Sequence, residues 1–306
     1  SGWSTISHIG PEIRPVEPAP GHSGGGKTTR PATRETVSHS TLSDVGVQMM
    51  TSGKIKLPSS VDIVVIGGGI IGLSFAYEAA TAGRSVLVVE RHLCGSGATP
   101  VAAGMLAPVS EAEATLPGMV EFGLESSRLY PDFIAHTEAD SGMKCGYRTE
   151  GTLSVAADRD QMEQLEHRAA THEELGLKAQ RLSAREVQQL EPGLSARIVG
   201  GLRTEIDCQV DPRALSAALV VAGSARGVVF ANATEVTSVE LDPNGAVCVV
   251  SLRSNKESKG ADSPHNRINV RNLVLCAGAW TPELIPEPSD LPVYPVKGQV
   301  IRLRGA

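Results

Sequence analysis

Glycines at 67, 68, 69 and 72 follow the apolar run Val61-Asp62-Ile63-Val64-Val65-Ile66, and Glu90 closes a second apolar run further on. A turn built on such glycines can hold a pyrophosphate on main-chain N–H groups, and an acid about 20 residues beyond it can accept hydrogen bonds from ribose hydroxyls. The chemistry suggested is dinucleotide binding. Gly67 would allow a tight turn, Gly69 a close approach of backbone to phosphate, and Gly72 close packing of helix on strand, with Ile70 and Ile71 opening that helix at the phosphates. Three elements must position these groups: a buried parallel strand over Val61 to Ile66, a helix from Ile70 to Ala82 stopped by Gly83, and a second strand from Arg84 to Val89.

Composition narrows the partners. Lysine and arginine number 28 against 34 acids among 306 residues, a net charge of −6, which opposes general affinity for nucleic acid. No apolar run reaches the roughly 18 residues that would suggest a membrane span, so the sequence reads as soluble and cytoplasmic, with a small-molecule partner. The five cysteines, Cys94, Cys145, Cys208, Cys248 and Cys276, show no metal or redox spacing and read as reduced packing residues, Cys276 inside a strand. His92, His136 and His172 likewise lack partner spacing, so no metal site is expected. Asn232-Ala233-Thr234 matches a glycosylation sequon, read here as chance.

Residues 1–58 are rich in Ser, Thr, Pro and Gly and read as a disordered or targeting tail. Within them, Gly21 to Thr28 satisfies the letter of a phosphate-loop pattern, but the flanking Pro20 and Pro31 deny it the strand and helix it needs. Later expectations are helices over Leu116–Glu138, Asp160–Leu177, Ala184–Leu190 and, capped by Asp211-Pro212, up to Ala225. Extended segments are expected over Tyr147–Ala156, Gly200–Val210, Val228–Phe230, Val236–Leu241, Val247–Leu252, Ile268–Cys276 and Tyr294–Leu303, with Asp242 to Gly245 as a turn. The order predicts an α/β fold: a Rossmann-like domain interrupted by a mixed β-sheet substrate domain. Its expected segments are 59–145 and 211–290 for the nucleotide domain, and 146–210 and 291–306 for the substrate domain.

The segment Gly95-Ser96-Gly97-Ala98-Thr99-Pro100-Val101-Ala102-Ala103-Gly104-Met105 resembles the flavin-contacting loop of the glycine oxidase and D-amino acid oxidase family, in particular its thiamine-pathway glycine oxidases. Glu150-Gly151-Thr152-Leu153, Gly201-Leu202-Arg203, Val210 to Leu215, Val274 to Trp280 and Pro295-Val296-Lys297-Gly298-Gln299 are similar to that family's segments in the family's order, from about Ser60 to Ala306. The resemblance implies FAD as cofactor. It also implies contacts from Arg91, Ala98, Thr99, Ala103, Gly104, Met105, Val236 and Gly278, in addition to the glycine turn and Glu90. Met105 would border the substrate cavity, or else fill the core. Lys297 reads as structural.

The implied reaction is oxidative deamination of glycine or a small amino acid: the α-hydrogen leaves as hydride to the flavin, the imine hydrolyses to release ammonia, and oxygen is reduced to hydrogen peroxide. A sarcosine oxidase or D-amino acid dehydrogenase of the same superfamily, a nicotinamide-dependent dehydrogenase, and a non-catalytic FAD-binding module remain alternatives, and association with like chains is left open. The family's arginine-bearing blocks, which would hold the substrate carboxylate, fall beyond Ala306, so no catalytic residue is assigned. The expectation is that the 306-residue chain alone binds FAD weakly and produces no peroxide from glycine. A coupled peroxide assay showing turnover would overturn it.

Overall fold

The structure is a computed structural model that describes residues 56–111, 117–174, 176–242, 247–254, 267–284, 291 and 293–298. The predicted tail up to residue 55, the phosphate-loop-like segment, residues 243–245 of the predicted turn and residues 299–303 of the last predicted strand lie outside them.

A strand covered on both faces is apolar along its length, and Val61, Val64, Val65 and Ile66 are buried in β1 (Ser60–Ile66). α1 (Ile70–Thr81) follows the glycine turn, and Gly83, at φ +78°, reverses the chain into β2 (Val86–Val89). Arg84 and Ser85, expected in β2, precede it. Ser85 donates its hydroxyl and its N–H to the Asp62 carboxylate, and its carbonyl accepts from Ile63 N–H.

The chain continues through β3 (Met105–Leu106), α2 (Pro117–Ser141), β4 (Thr152–Ala156), α3 (Arg159–Glu174), β5 (Gln180–Ser183), α4 (Ala184–Leu190), β6 (Gly200–Thr204) and β7 (Cys208–Gln209). It returns through α5 (Pro212–Ala225), β8 (Val229–Ala231), β9 (Thr234–Leu241), β10 (Val247–Ser254) and β11 (Arg267–Leu275). The main sheet runs β8-β2-β1-β11-β10-β9. Its first four strands are parallel, with Ile66 opposite both Val89 and Leu275, and β9 to β11 form an antiparallel meander. The α/β architecture with both parallel and antiparallel strands matches the expected fold class.

A second, antiparallel sheet, β4-β6-β5, buries Ala156 and Leu202 against Met162 and Leu165 of α3, while Val187 of α4 packs with Leu182 and Ile198. Ser183 and Glu186 start α4 with a reciprocal capping box. The predicted strand over Tyr147–Ala156 begins only at Thr152. Gly151 sits at φ +87° with a site for Cβ 2.5 Å from the Thr204 carbonyl, so the ladder breaks there and Arg148 pairs separately with Gln209. The extended reading of Gly200–Val210 is interrupted for the same geometric reason by a turn at Glu205 and Ile206. The helix expected to reach Leu177 ends at Glu174, and the Leu177 N–H bonds back to the His172 carbonyl after left-handed Gly176. Tyr294 to Gly298 form no strand: Tyr294 and Val296 are exposed, and a strand has no ladder partner for them among the described residues.

Three helices are tied together at one carboxylate. Tyr77 of α1, buried and edge-on to Phe133, donates its hydroxyl to Asp140 of α2 at 2.8 Å, and Arg226, just past α5, makes a bidentate pair with the same group. The Arg226 bond first, and the Tyr77 bond second, hold the Asp140 carboxyl below its ordinary value. Because the folded value is depressed, this contribution to stability is present above about pH 4 and is lost as pH falls through the folded value. Tyr77→Phe should cost about 1 kcal/mol in urea unfolding at neutral pH. Asp140→Asn should be destabilised at neutral pH, with its gap from the wild type narrowing on acidification below about pH 4; a gap that widens would refute the assignment.

Candidate functional site

In the order β2-β1-β11, β1 lies between two parallel neighbours, and in open α/β sheets ligands bind outside the carboxyl ends of such strands. The glycine turn lies there. Gly67 has φ +110°, and a Cβ on it would meet the Cys276 carbonyl oxygen at 2.3 Å, while Cys276 N–H donates to Ile66. Gly72 seats α1 on that turn, since a Cβ would lie 2.0 Å from the Gly67 carbonyl. Gly68, which the dinucleotide pattern does not single out, is equally constrained: a Cβ there would strike Cys94 Sγ at 2.6 Å. Gly69 is different. Only Thr99 Oγ1, at 3.7 Å, lies near its Cβ position, so this side of the turn is open to a ligand.

Gly69 is also the N-cap of α1 and has no side chain with which to cap it. Ile70 N–H donates to Thr99 Oγ1 at 3.0 Å, while the N–H groups of Ile71 and Gly72 belong to the first turn, which has no intrahelical acceptors. The helix therefore presents donors and the positive end of its dipole at the open face of Gly69. Glu90 adds the acid. Its Oε2 accepts from Gly68 N–H and its Oε1 from His92 N–H, both at 2.8 Å, leaving each oxygen a further lone pair. The sequence pattern implies only the ribose partner; the two backbone bonds depend on the turn's conformation and leave no mark in spacing.

A strap from the β8–β9 turn holds the segment after Glu90. Glu90 N–H donates to Ala231, Thr234 N–H donates to Glu90, Ala233 N–H donates to His92, and Cys94 N–H donates to Asn232 Oδ1 at 2.8 Å. Asn232 is thus part of this strap, and Ala233 adopts φ +51° to complete it. Val236, two residues further along β9, is partly buried against the sheet core and pairs with Leu252. Arg91 lies with its Cζ 3.8 Å from the centroid of the Trp280 ring.

The remaining predicted residues divide into two places. Ala98 and Thr99 lie beside α1, with Ala98 exposed and Thr99 buried, and Ala103 is exposed further along the loop. Gly104 and Met105 lie instead on the β3–β7 pairing, where a Cβ on Gly104 would meet the Val210 carbonyl at 2.0 Å and Met105 pairs with Gln209. Gly104 is therefore required by contact with protein. Asp207, missed in the sequence, is fully buried and accepts from Val109 and Ser110 N–H, anchoring the chain beyond Met105. Its one sequence signal is an acid set between Ile206 and Cys208 in an extended segment. Gly278, at φ +57°, has open space around its Cβ position.

Cys276 lies one residue past β11, not within it. Burial, and secondarily Glu90, pushes the Cys94 thiol up to about 12, so it is no nucleophile at neutral pH. Among the described residues no group of three His, Cys, Asp or Glu side chains could hold a metal, and no helix is long and apolar enough to cross a membrane. Lys297 is exposed.

A glycine turn at the end of a central parallel strand, opening a helix whose N-cap is a glycine and followed by an acid at the next strand's end, defines a Rossmann-type dinucleotide-binding fold. The family model named DAO, FAD dependent oxidoreductase, matches residues 62–306, and the chain belongs to that family. It is 29% identical over 245 residues to glycine oxidase of Geobacillus kaustophilus, covering 79% of this chain and 61% of that protein. It is 33% identical over 246 residues to the bifunctional protein ThiO/ThiG of Synechocystis sp., covering 79% of this chain and 33% of that protein. The crystal structure of Geobacillus kaustophilus glycine oxidase superposes with a TM-score of 0.66 at 26% identity, over 74% of this chain and 58% of that one. FAD is the cofactor of this family, and the open Gly69 face, the orphan donors of α1 and the spare lone pairs of Glu90 fit its adenylate half.

Asn232→Ala should lower stability by about 1–3 kcal/mol by leaving Cys94 N–H unpaired, whereas Asn232→Asp, which keeps the acceptor, should lose much less. Ala233→Gly should gain up to about 1 kcal/mol by relieving left-handed strain. Urea midpoints check all three, and an Asn232→Ala midpoint equal to the wild type would remove the strap from the account.

Proposed function

We propose that the chain carries the adenylate-binding part of an FAD-dependent enzyme that oxidises the C–N bond of glycine or a small amino acid. The observation carrying this reading is the helix α1 N-terminus, uncapped by side chain at Gly69 and open on the side where a diphosphate would lie.

In this reading Gly67 and Gly72 shape the turn, the N–H groups at Gly69, Ile71 and Gly72 hold the diphosphate, and Ile70 N–H stays on Thr99 Oγ1. Glu90 accepts from ribose hydroxyls while keeping its hold on Gly68 and His92. Arg91 and the backbone at Val236 border the adenine side; Ala98, Thr99, Ala103, Gly104, Met105 and Gly278 lead toward the flavin. Thr99 can accept from Ile70 and still donate its own proton to a phosphate oxygen. FAD, when bound, supplies a two-electron acceptor for the substrate's hydride. The protein's part is to bind, orient and exclude competing chemistry.

The segments 59–145 and 211–290 form the nucleotide domain of this proposal, and 146–210, with its β4-β6-β5 sheet, the start of the substrate layer, continued by 291–306. Glycine as substrate, oxygen as acceptor with peroxide and ammonia as products, and a cytoplasmic enzyme supplying thiamine thiazole synthesis are supported by the similarity to glycine oxidase and ThiO/ThiG. Those assignments concern a whole protein, and this chain spans 61% and 33% of the two relatives.

Competition binding separates the adenylate reading from general flavin affinity. FAD bound to this chain should be displaced by ADP and left in place by FMN. Displacement by FMN, with ADP inert, would overturn the site; anaerobic bleaching of the flavin by glycine in the complete protein tests the substrate.

A further inference from the structure

We propose that Trp280 is a positioning residue for nucleotide recognition: its indole holds the Arg91 guanidinium near the carboxyl ends of the parallel strands, where it faces the adenosine of the cofactor. The inference rests on the adenylate-site reading above and adds a residue to it.

Topology makes the pair unusual. Arg91 leaves the end of β2, Trp280 lies in the 3-10 segment Gly278–Leu284 after β11, and β1 runs between those strands. The two strand ends are therefore two sheet spacings apart, about 10 Å. Arg91 nevertheless reaches the indole, with its Cζ 3.8 Å from the ring centroid. The contact joins chain leaving the carboxyl ends of β2 and β11, the strands on either side of β1, and dinucleotides bind outside the carboxyl ends of such strands. Gly278 makes this crossing geometrically available. At φ +57° it turns the chain as it leaves β11, and Trp280 N–H closes the turn onto the Ala277 carbonyl at 3.2 Å. The glycine's left-handed conformation thus serves the placement of Trp280.

The chemistry of the pair suits a nucleobase. Tryptophan is the aromatic side chain that attracts a cation most strongly, and a guanidinium held over its ring has one face left toward a ligand. Bases are commonly held on arginine planes and aromatic rings, whose faces accept a purine without displacing charge. Glu90, adjacent in sequence, engages the ribose side, so neighbouring residues address the two halves of one nucleoside.

ADP is the probe, because it carries the adenosine and diphosphate without the flavin ring. The chain has two tryptophans, Trp3 and Trp280, so Trp3→Phe leaves Trp280 as the sole indole reporter. In that background, saturating ADP should shift the Trp280 emission. By equilibrium dialysis, Trp280→Ala should bind ADP about five- to tenfold more weakly, Trp280→Phe should recover most of the loss, and Arg91→Lys should resemble Trp280→Ala although it keeps the charge. Trp280 is 47% exposed, so the urea midpoint should hardly move in these variants. Undiminished ADP affinity in Trp280→Ala or Arg91→Lys, no recovery in Trp280→Phe, or indole emission blind to bound ADP would each overturn the proposal. Failure of the unmodified chain to bind ADP at all would instead overturn the adenylate reading, and this inference with it.

Discussion

A methyl group on Gly72 would lie 2.0 Å from the carbonyl oxygen of Gly67, and one on Gly67 would lie 2.3 Å from that of Cys276. These two approaches hold α1, β1 and β11 at distances that no side chain could tolerate. The direction of α1 follows from them, and with it the position of its uncapped N-terminus. A helix set even one methyl's width further from the strand would aim its donors away from the crevice. Backbone proximity, enforced by the absence of Cβ atoms, is therefore the constraint from which the site descends.

Around that contact the structure replaces side-chain packing with a dense set of hydrogen bonds. Glu90 stands at their centre: its carboxylate organises Gly68 and His92, and its backbone is gripped by Ala231 and Thr234. Such a carboxylate is held in place before any ligand arrives. Preorganisation of this kind lowers what binding must spend on ordering. The same logic applies at Asp207, whose buried carboxylate fixes the loop leading from Met105 without touching the glycine turn.

The elements that sequence reveals well are those governed by local rules. Ala184–Leu190 and the Asp211-Pro212 start of α5 follow from capping and proline chemistry, and β1 from an unbroken apolar run. Strand limits around Gly151 and Glu205 were less legible, because the approach of two distant backbones decides them. In the glycine turn, Gly67, Gly69, Gly72 and Glu90 can be picked out from spacing alone, while the contact of Arg91 with Trp280 leaves no such mark. The contacts of Gly68, Asn232 and Asp207 are not legible for a shared reason: each is with a residue remote in the chain, and no periodicity records it.

That remoteness bears on how the protein acquires its site. Cys94 is held by Asn232 at a sequence separation of 138, and β1 gains its second neighbour only when β11 has been made. The first βαβ unit precedes these partners in the chain, so its glycine turn and its acid gain their surroundings through long-range contacts. Non-local closure of this type is slow, since the entropy of a long loop must be lost before the contact forms. The glycine turn therefore depends on contacts of high sequence separation, and a substitution that weakens β11 or the Asn232 strap reaches that turn from far along the chain.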